Sequence, residues 1–295
     1  MSDYIIKTYE KGIEDEQAKL GTEVTKDWKD FGQTSAENLK QAYAQEGFDP
    51  ETRFYAYKGD KLVGFMVSRI LPETDNGIKR VQHDTPFAYD NDREVGKLLY
   101  QKGMETWKAK GVNVVEFRVC KKWGNTIEIA EELAYKKARI HYVKTEIELD
   151  QIKSQGIEDK FIDFEPERDK EQLIQYFQDN FNMSKEQATA NFDGIVNVTD
   201  GFYNQPIIRE GDKITSRGLV YVSKENPEIA TFRPLTPDPN KYIDSYLARI
   251  TKFAKEKGAK KFEVYFGGQA LDTLDLYKAH GFKVATEVFI YEKEI

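Results

Sequence analysis

The sequence presents one order of strand and helix patterns twice, and this repetition constrains the fold more than any other feature. Three landmarks of the first half return in the second at nearly constant separations: Gly59-Asp60-Lys61 as Gly211-Asp212-Lys213, the lysine-rich helix end at Gly111 as that at Gly258, and Tyr135 as Tyr277. Constant spacing at several places indicates an internal duplication. We therefore predict two domains, residues 1–150 and 158–295, with the polar stretch 150–159 at the boundary.

Each half alternates strand and helix patterns. The order is a strand, two helices, a hairpin, a strand, a long helix, a strand, a shorter helix and a last strand. The long helices cover 92–110 and 240–257, and the strands before them cover 78–89 and 229–235. Alternation of this kind predicts α/β layers rather than a β-sandwich or a helix bundle.

Composition limits the class of protein. Of the 295 residues, 39% are hydrophobic and 13% aromatic, which is enough apolar material for ordinary cores. No apolar run is long enough for a transmembrane helix, and the first residues lack the pattern of a secretory signal. A lone cysteine, Cys120, cannot form an internal disulfide and fits a reducing compartment. We expect a cytoplasmic protein without a membrane partner.

The chain carries a net charge of −7. A general nucleic-acid binder usually shows a basic face, so we expect no nucleic-acid partner. An acidic surface is compatible with a cationic substrate such as an amine, and it also serves solubility alone. Neither His141 nor His280 has a partner at metal-ligand spacing, so no metal site is predicted.

The element order and two segments resemble the GNAT-superfamily N-acyltransferases, as a tandem duplication of their domain. The hairpin 54–67 is similar to the second and third strands of the family. The segment 276–282, Leu-Tyr-Lys-Ala-His-Gly-Phe, matches the family's L-Y-x-x-x-G-F, and the segment 134–140 is a weaker version that keeps the tyrosine and lacks the Gly-Phe pair. The resemblance implies two GNAT-like domains, each with a mostly antiparallel mixed sheet flanked by helices.

The resemblance also implies an activity, the transfer of an acyl group from acetyl-coenzyme A, or another acyl-coenzyme A, to a small amine. In the family the tyrosine of the last helix often protonates the departing thiolate, which makes Tyr135 and Tyr277 candidates for the acid. A tyrosine at that place also serves packing alone. His83 is a candidate base on the central strand, where its neighbour Asp84 points to the opposite face. Glu116, with Glu263 as its counterpart, is either a base or acceptor ligand or an ordinary strand-edge group.

The family's coenzyme motif, Gln/Arg-x-x-Gly-x-Gly/Ala, opens the long helix and faces its N–H groups to the diphosphate. In the first half residues 91–96 keep one of the two glycines, and in the second half residues 239–244 keep neither. The coenzyme-binding candidates are therefore Asn91, Arg93, Val95, Gly96 and Lys97. Gly96 either admits a phosphate or makes a packing contact. The nearby carboxylates of residues 90, 92 and 94 compete with a diphosphate.

Two hypotheses follow for the function. In the first, the chain is an N-acyltransferase in which one half carries the chemistry and the other supports it. If Gly96 marks the live pocket, Tyr135 is the acid and Tyr277 is a packed remnant; the reverse assignment places the chemistry in the second half. In the second, the chain is a non-catalytic tandem module that lost coenzyme binding and serves as an interaction or ligand-sensing protein. The degenerate motif favours the second hypothesis, and the retained tyrosines favour the first.

Overall fold

A computed structural model describes residues 3–74, 76–153 and 156–295. Contacts divide the chain into two compact units. The first unit contains residues up to His141 together with Thr286–Ile295, and the second contains Tyr142–Ala285. The sequence-based boundary between residues 150 and 158 stays a prediction. The contact units differ from it in that residues 142–150 belong to the second unit and residues 286–295 to the first.

The helices and strands follow the repeated order of the sequence patterns. Up to the last strand of the first half they are β1 Tyr4–Thr8, α1 Glu14–Val24, α2 Ala36–Tyr43, β2 Arg53–Lys58, β3 Lys61–Ile70, β4 Arg80–His83, β5 Phe87–Ala88, α3 Arg93–Ala109, β6 Val114–Val119, α4 Thr126–Glu132 and β7 Lys136–Glu148. The remainder are β8 Ile162–Asp163, α5 Pro166–Phe181, α6 Lys185–Val196, β9 Gly201–Asn204, β10 Pro206–Glu210, β11 Lys213–Ser223, β12 Ile229–Thr236, α7 Pro239–Glu256, β13 Lys261–Gly267, α8 Leu274–Ala279 and β14 Lys283–Glu294.

The sheets of the two units have matching strand orders. In the first unit the order is β1-β2-β3-β4-β6-β14, with β5 on β3, and in the second it is β8-β10-β11-β12-β13-β7, with β9 on β11. The pairs are antiparallel except β4 with β6 and β12 with β13. The prediction of mostly antiparallel mixed sheets flanked by helices is therefore confirmed. The last strand of each sequence half is part of the sheet of the other unit. Strand β14, from the second half, pairs with β6 in the first unit, and residues 142–148 of β7, from the first half, pair with β13 in the second unit.

Amphipathic helices bury one face on each sheet. Helix α3 places Val95, Leu99 and Trp107 at helical spacing in the core of the first unit. Helix α1 buries Leu20 against the other face of the same sheet, beside Tyr55 and Phe65. In the second unit α7 contributes Ile243, Leu247 and Ile250 to the larger core, and α5 and α6 form a separate cluster. Within the described ranges, no helix combines the length and the apolar character needed to cross a membrane.

The strand predicted over 78–89 is divided in the structure. Strand β4 runs parallel to β6 from Arg80, opposite Val114, to His83, opposite Phe117. Beyond His83 the chain leaves β6, and β5 pairs with β3 instead. The two parallel strands therefore separate after His83, and the segment 84–92, which includes β5, leads from there to α3.

Candidate functional site

A cavity with an empty volume of about 740 Å³, part of it open to solvent, lies at the N-terminal end of α3 in the first unit. The segment that follows His83, the loop before α3, the first turns of α3, and α4 form most of its wall. Its lining residues are Val24, Trp28, Thr85, Pro86, Ala88, Asn91, Asp92, Arg93, Gly96, Lys97, Tyr100, Asn125, Ile129, Glu132 and Leu133.

Most of the coenzyme candidates are brought together at this cavity. Asn91, Arg93, Gly96 and Lys97 line it, whereas the side chain of Val95 is buried in the core of the first unit. A Cβ added to Gly96 would meet no atom nearer than the Cβ of Pro86, at 3.8 Å. Pro86 and Gly96 both line the cavity, so the space that a Gly96 side chain would occupy is left open on that wall. The role of these residues as coenzyme ligands stays a prediction.

The N-terminus of α3 is capped by a carboxylate of the chain itself. The backbone N–H groups of Glu94 and Val95 donate to Asp92 Oδ1, at 2.9 and 3.2 Å, and the Tyr4 hydroxyl donates to Asp92 Oδ2 at 2.8 Å. The hydrogen bond from Tyr4 and those from the backbone hold the pKa of Asp92 below its usual range. An ionised cap thus occupies two of the N–H groups that a helix N-terminus offers to an anion.

Three side chains form a buried hydrogen-bonded chain behind the cavity wall. The hydroxyl of Tyr100 donates to the hydroxyl oxygen of Tyr135 at 3.1 Å, and Tyr135 Oη lies 2.9 Å from His83 Nε2. Tyr100 is 8% exposed, Tyr135 4% and His83 1%. The sequence-predicted His83 and Tyr135 are therefore in contact with each other, and Tyr100, which the sequence analysis missed, connects them to the cavity.

The direction of the hydrogen bonds among these three side chains follows from the environment of His83. His83 Nδ1 lies 2.8 Å from the carbonyl oxygen of Asp84, which can only accept, so Nδ1 carries the proton. Nε2 is then the acceptor, and the Tyr135 hydroxyl donates to it. Burial lowers the pKa of His83 to about 4 and raises the pKa of both tyrosines. The imidazole is neutral at pH 7.

Comparisons with known proteins give a result only at the level of structure. No protein-family model matches the sequence, and no curated protein matches it. A GCN5-related N-acetyltransferase from Sphaerobacter thermophilus superposes with a TM-score of 0.68 at 14% identity, over 100% of this chain and 96% of that chain. A tandem GNAT protein from the clavulanic acid biosynthesis pathway gives 0.69 at 11% identity, over 99% and 98%. The chain has the tandem GNAT fold.

A structure of Saccharomyces cerevisiae N-myristoyltransferase with bound myristoyl-CoA is also similar. It superposes with a TM-score of 0.56 at 11% identity, over 99% of this chain and 79% of that one. The resemblance to GNAT proteins that the sequence indicated is thereby confirmed for the fold. In this fold the first unit's cavity lies at the long-helix N-terminus, where the sequence motif placed the coenzyme.

The backbone corrects how the two GNAT motifs correspond. The N–H of Tyr135 donates to the carbonyl of Ala130, and the N–H of Phe282 donates to that of Tyr277. Ala134 and Gly281 precede them with left-handed φ values of 61° and 95°. Tyr135 therefore corresponds to Phe282 rather than to Tyr277, and the position of Tyr277 is held by Ala130. Helix α4 ends at Glu132 because the chain turns at Ala134.

Tyr277 holds the GNAT motif position in the second unit, and it is fully buried. Its hydroxyl oxygen accepts the Leu235 N–H at 3.1 Å, and its ring packs against Phe232, Phe266 and Phe282. Burial raises the pKa of Tyr277. The side chain therefore fills the second unit's interior and already has a backbone partner.

Glu116 is separated from the His83 chain by the sheet itself. Along β6, Glu116 and Phe117 point to opposite faces, and Phe117 stacks on the His83 ring at 4.6 Å. Glu116 is 1% exposed and pairs with Arg80 and Arg139 at 3.2 and 2.8 Å. This ion-pair network gives Glu116 a structural environment distinct from the cavity.

Its counterpart Glu263 is likewise paired, with Lys144 at 2.7 Å and with Lys261. Burial alone would raise the pKa of Glu263, but the bonds from the two lysines outweigh it and lower the pKa. In the parts of the chain that the structure describes, no three His, Cys, Asp or Glu side chains are grouped to hold a metal ion.

Proposed function

We propose that the chain is an acyl-coenzyme A dependent N-acyltransferase acting on a small amine, and that its first unit carries the chemistry. The observation that supports this most is the cavity at the start of α3, which adjoins the point where β4 and β6 separate. Tyr100, which lines this cavity, is connected through the Tyr135 hydroxyl to a buried imidazole. In the second unit, by contrast, Tyr277 is packed and bonded to the backbone.

The residues at the cavity fit a coenzyme in a modified way. Asp92 caps the backbone N–H groups that would otherwise face a diphosphate. Arg93 and Lys97 line the same cavity, and their cationic groups would meet the requirement of a diphosphate, Arg93 in exchange for its ion pair with Glu132 at 3.5 Å. Gly96 between them offers a wall without a side chain. When bound, the coenzyme supplies the thioester whose acyl carbon the amine attacks.

The chain's own residues contribute positioning, exclusion of water and proton transfer. Tyr100 lines the cavity, and Tyr135 and His83, to which its hydroxyl is linked, are buried. Proton transfers in such a low-dielectric environment are held to fixed partners, because no solvent competes for the hydrogen bonds. Trp28 and Ile129 provide apolar surface on the remaining walls.

A second candidate function is a non-catalytic tandem module that binds no coenzyme. The observation in its favour is Asp92, since an ionised carboxylate at the α3 N-terminus repels a diphosphate. The two candidates differ in whether the native protein binds acyl-coenzyme A. A ligand that binds only the native state stabilises it by RT ln(1 + [L]/Kd) and so raises the unfolding temperature.

The test is calorimetric titration of acetyl-coenzyme A, followed by turnover of acetyl-coenzyme A with a panel of small amines. The proposal expects binding that weakens about thirtyfold in the double variant Arg93→Gln/Lys97→Gln, because each of the two cations' bonds to a phosphate contributes roughly 1 kcal/mol. Lys108→Gln, an exposed lysine near the other end of α3, serves as the control and leaves binding unchanged. Absence of binding to the wild-type protein supports the non-catalytic module.

A further inference from the structure

We propose that the hydroxyl of Tyr100 is the group that takes the proton from the attacking amine, and that Tyr135 and His83 form a relay behind it that later returns the proton to the leaving thiolate. This inference rests on the proposed N-acyltransferase function. It assigns a role to Tyr100, which the sequence did not single out, and it replaces a single tyrosine acid with a chain of three groups.

The direction of the hydrogen bonds supports acceptance of a proton from the cavity. Tyr100 donates to Tyr135, Tyr135 donates to His83 Nε2, and His83 Nδ1–H donates to the Asp84 carbonyl. The donated proton of each of these three hydrogen bonds points from the Tyr100 side toward the backbone of Asp84. Tyr100 lines the cavity, and the proposal places the lone pairs of its oxygen that are not engaged with Tyr135 at that wall, with the unprotonated Nε2 of His83 at the inner end.

The proton balance closes without a further reactant. As the amine nitrogen bonds to the acyl carbon, its proton passes to Tyr100 Oη, the Tyr100 proton passes to Tyr135, and the Tyr135 proton passes to His83 Nε2. When the carbon–sulfur bond breaks, the same three transfers run backward and Tyr100 gives a proton to the thiolate. The N–H and C–S bonds break, the N–C and S–H bonds form, and the chain returns to its starting state.

The surroundings of His83 make the stored proton short-lived. Its ring contacts Phe117 and Trp107, and Tyr100 and Tyr135 are the titratable side chains that face it across the core. Asp84, whose carboxylate is paired with Arg118 at 2.8 Å, favours the imidazolium, and Arg118 opposes it. Burial outweighs both, so an imidazolium formed at this position is a strong acid and readily returns its proton.

The second unit supplies a matched control on its own long helix. Tyr246 follows the N-cap residue Asp238 of α7 as Tyr100 follows the N-cap residue Asp92 of α3. Its hydroxyl donates to the carbonyl of Arg233 at 2.7 Å, and its ring packs on Phe232 rather than on an imidazole. The side chain is fully buried. Tyr246 thus has the same residue type and position without the relay.

The experiment measures kcat and KM for the wild type, Tyr100→Phe, Tyr135→Phe and Tyr246→Phe, together with the 15N resonances of the imidazoles. The sequence contains 3 histidines, so the His83 signals are assigned by their loss in His83→Gln. We expect Tyr100→Phe to lower kcat roughly 10²-fold with KM for acetyl-coenzyme A within about twofold, and Tyr246→Phe to leave kcat unchanged. We expect wild-type His83 to be protonated at Nδ1 and unprotonated at Nε2.

Tyr100→Phe keeps the ring contacts and the bond between Tyr135 and His83, so it separates proton transfer from folding. A Tyr100→Phe enzyme with wild-type kcat, or a wild-type His83 protonated at Nε2, would overturn the relay while leaving the proposed function intact. If the wild type transfers no acyl group to any amine, the proposed function is overturned, and the tautomer of His83 still decides the polarity of the chain.

Discussion

Substitution of Gly96 by alanine is expected to stabilise the protein and to weaken coenzyme binding at the same time. Gly96 lies inside α3 with a helical backbone, and its N–H donates to the Asp92 carbonyl at 3.0 Å. Alanine in a helix interior is favoured over glycine by about 0.8–1.0 kcal/mol. The new Cβ would lie 3.8 Å from the Pro86 Cβ, an ordinary contact, so no steric cost offsets this gain.

The same methyl group would project into the cavity. If the diphosphate approaches this wall closely, the added atom displaces it, and we expect affinity for acetyl-coenzyme A to fall at least tenfold, or about 1.4 kcal/mol. Gly96→Val adds two further methyl groups and is expected to abolish the calorimetric signal. Thermal unfolding gives the first effect, and titration of acetyl-coenzyme A gives the second.

Gly103 provides the control on the same helix. A Cβ there would lie 2.6 Å from the Cε of Met66 and 2.9 Å from the Cζ2 of Trp107. Overpacking of a core costs about 1–3 kcal/mol, so Gly103→Ala is expected to lower stability without direct contact with the cavity. Gly96→Ala would refute this reasoning if it lowered the unfolding temperature, or if it bound acetyl-coenzyme A as tightly as the wild type.

Three further predictions concern the buried polar groups. Tyr277→Phe leaves the Leu235 N–H without its partner and is expected to cost about 1–3 kcal/mol of unfolding free energy in urea, whereas kcat stays near the wild-type value; a drop in kcat as large as that expected of Tyr100→Phe would place the chemistry in the second unit. The pKa of His83 is lowered to about 4 in the folded protein, so the unfolded protein binds the extra proton at a higher pH than the folded one. The unfolding free energy should therefore fall between pH 6.5 and pH 4 by roughly 3 kcal/mol more in the wild type than in His83→Leu. Equal pH profiles of the two proteins in urea titrations would contradict this. Glu116→Ala leaves Arg80 and Arg139 without their shared buried carboxylate and should lower the unfolding free energy by about 1–3 kcal/mol, and an unchanged denaturant midpoint would argue against the ion-pair network.

The sequence predicted the order of elements because hydrophobic periodicity and turn residues are local signals. It did not predict that β14 pairs with β6 and that β7 pairs with β13. A strand with the same apolar alternation fits either sheet, since pairing partners far apart in sequence leave no local trace. The break after His83 was missed for a related reason, because the residues that follow also have the composition of a strand.

The site was predicted in part. Several residues of the motif at 91–96 line the cavity. His83 and Tyr135 were both candidate site residues from the sequence, although their hydrogen bond to each other was not expected. Tyr100 was missed despite an available signal, since it follows Gly96 by one helical turn and so lies on the same face of α3. The sequence alignment of Tyr135 with Tyr277 was misleading. Ala134 has the left-handed backbone conformation that Gly281 has in the second half, and a left-handed residue is expected from the sequence only where a glycine stands.

Hydrogen exchange of the protein with and without acetyl-coenzyme A tests most directly whether the first unit binds the coenzyme. The account predicts slower exchange on binding in peptides that cover residues 85–100 and 125–133, which form most of the cavity wall. It predicts no change in peptides that cover residues 234–247, where the second unit's long helix begins. Protection confined to 234–247, or no protection anywhere at saturating acetyl-coenzyme A, would contradict it.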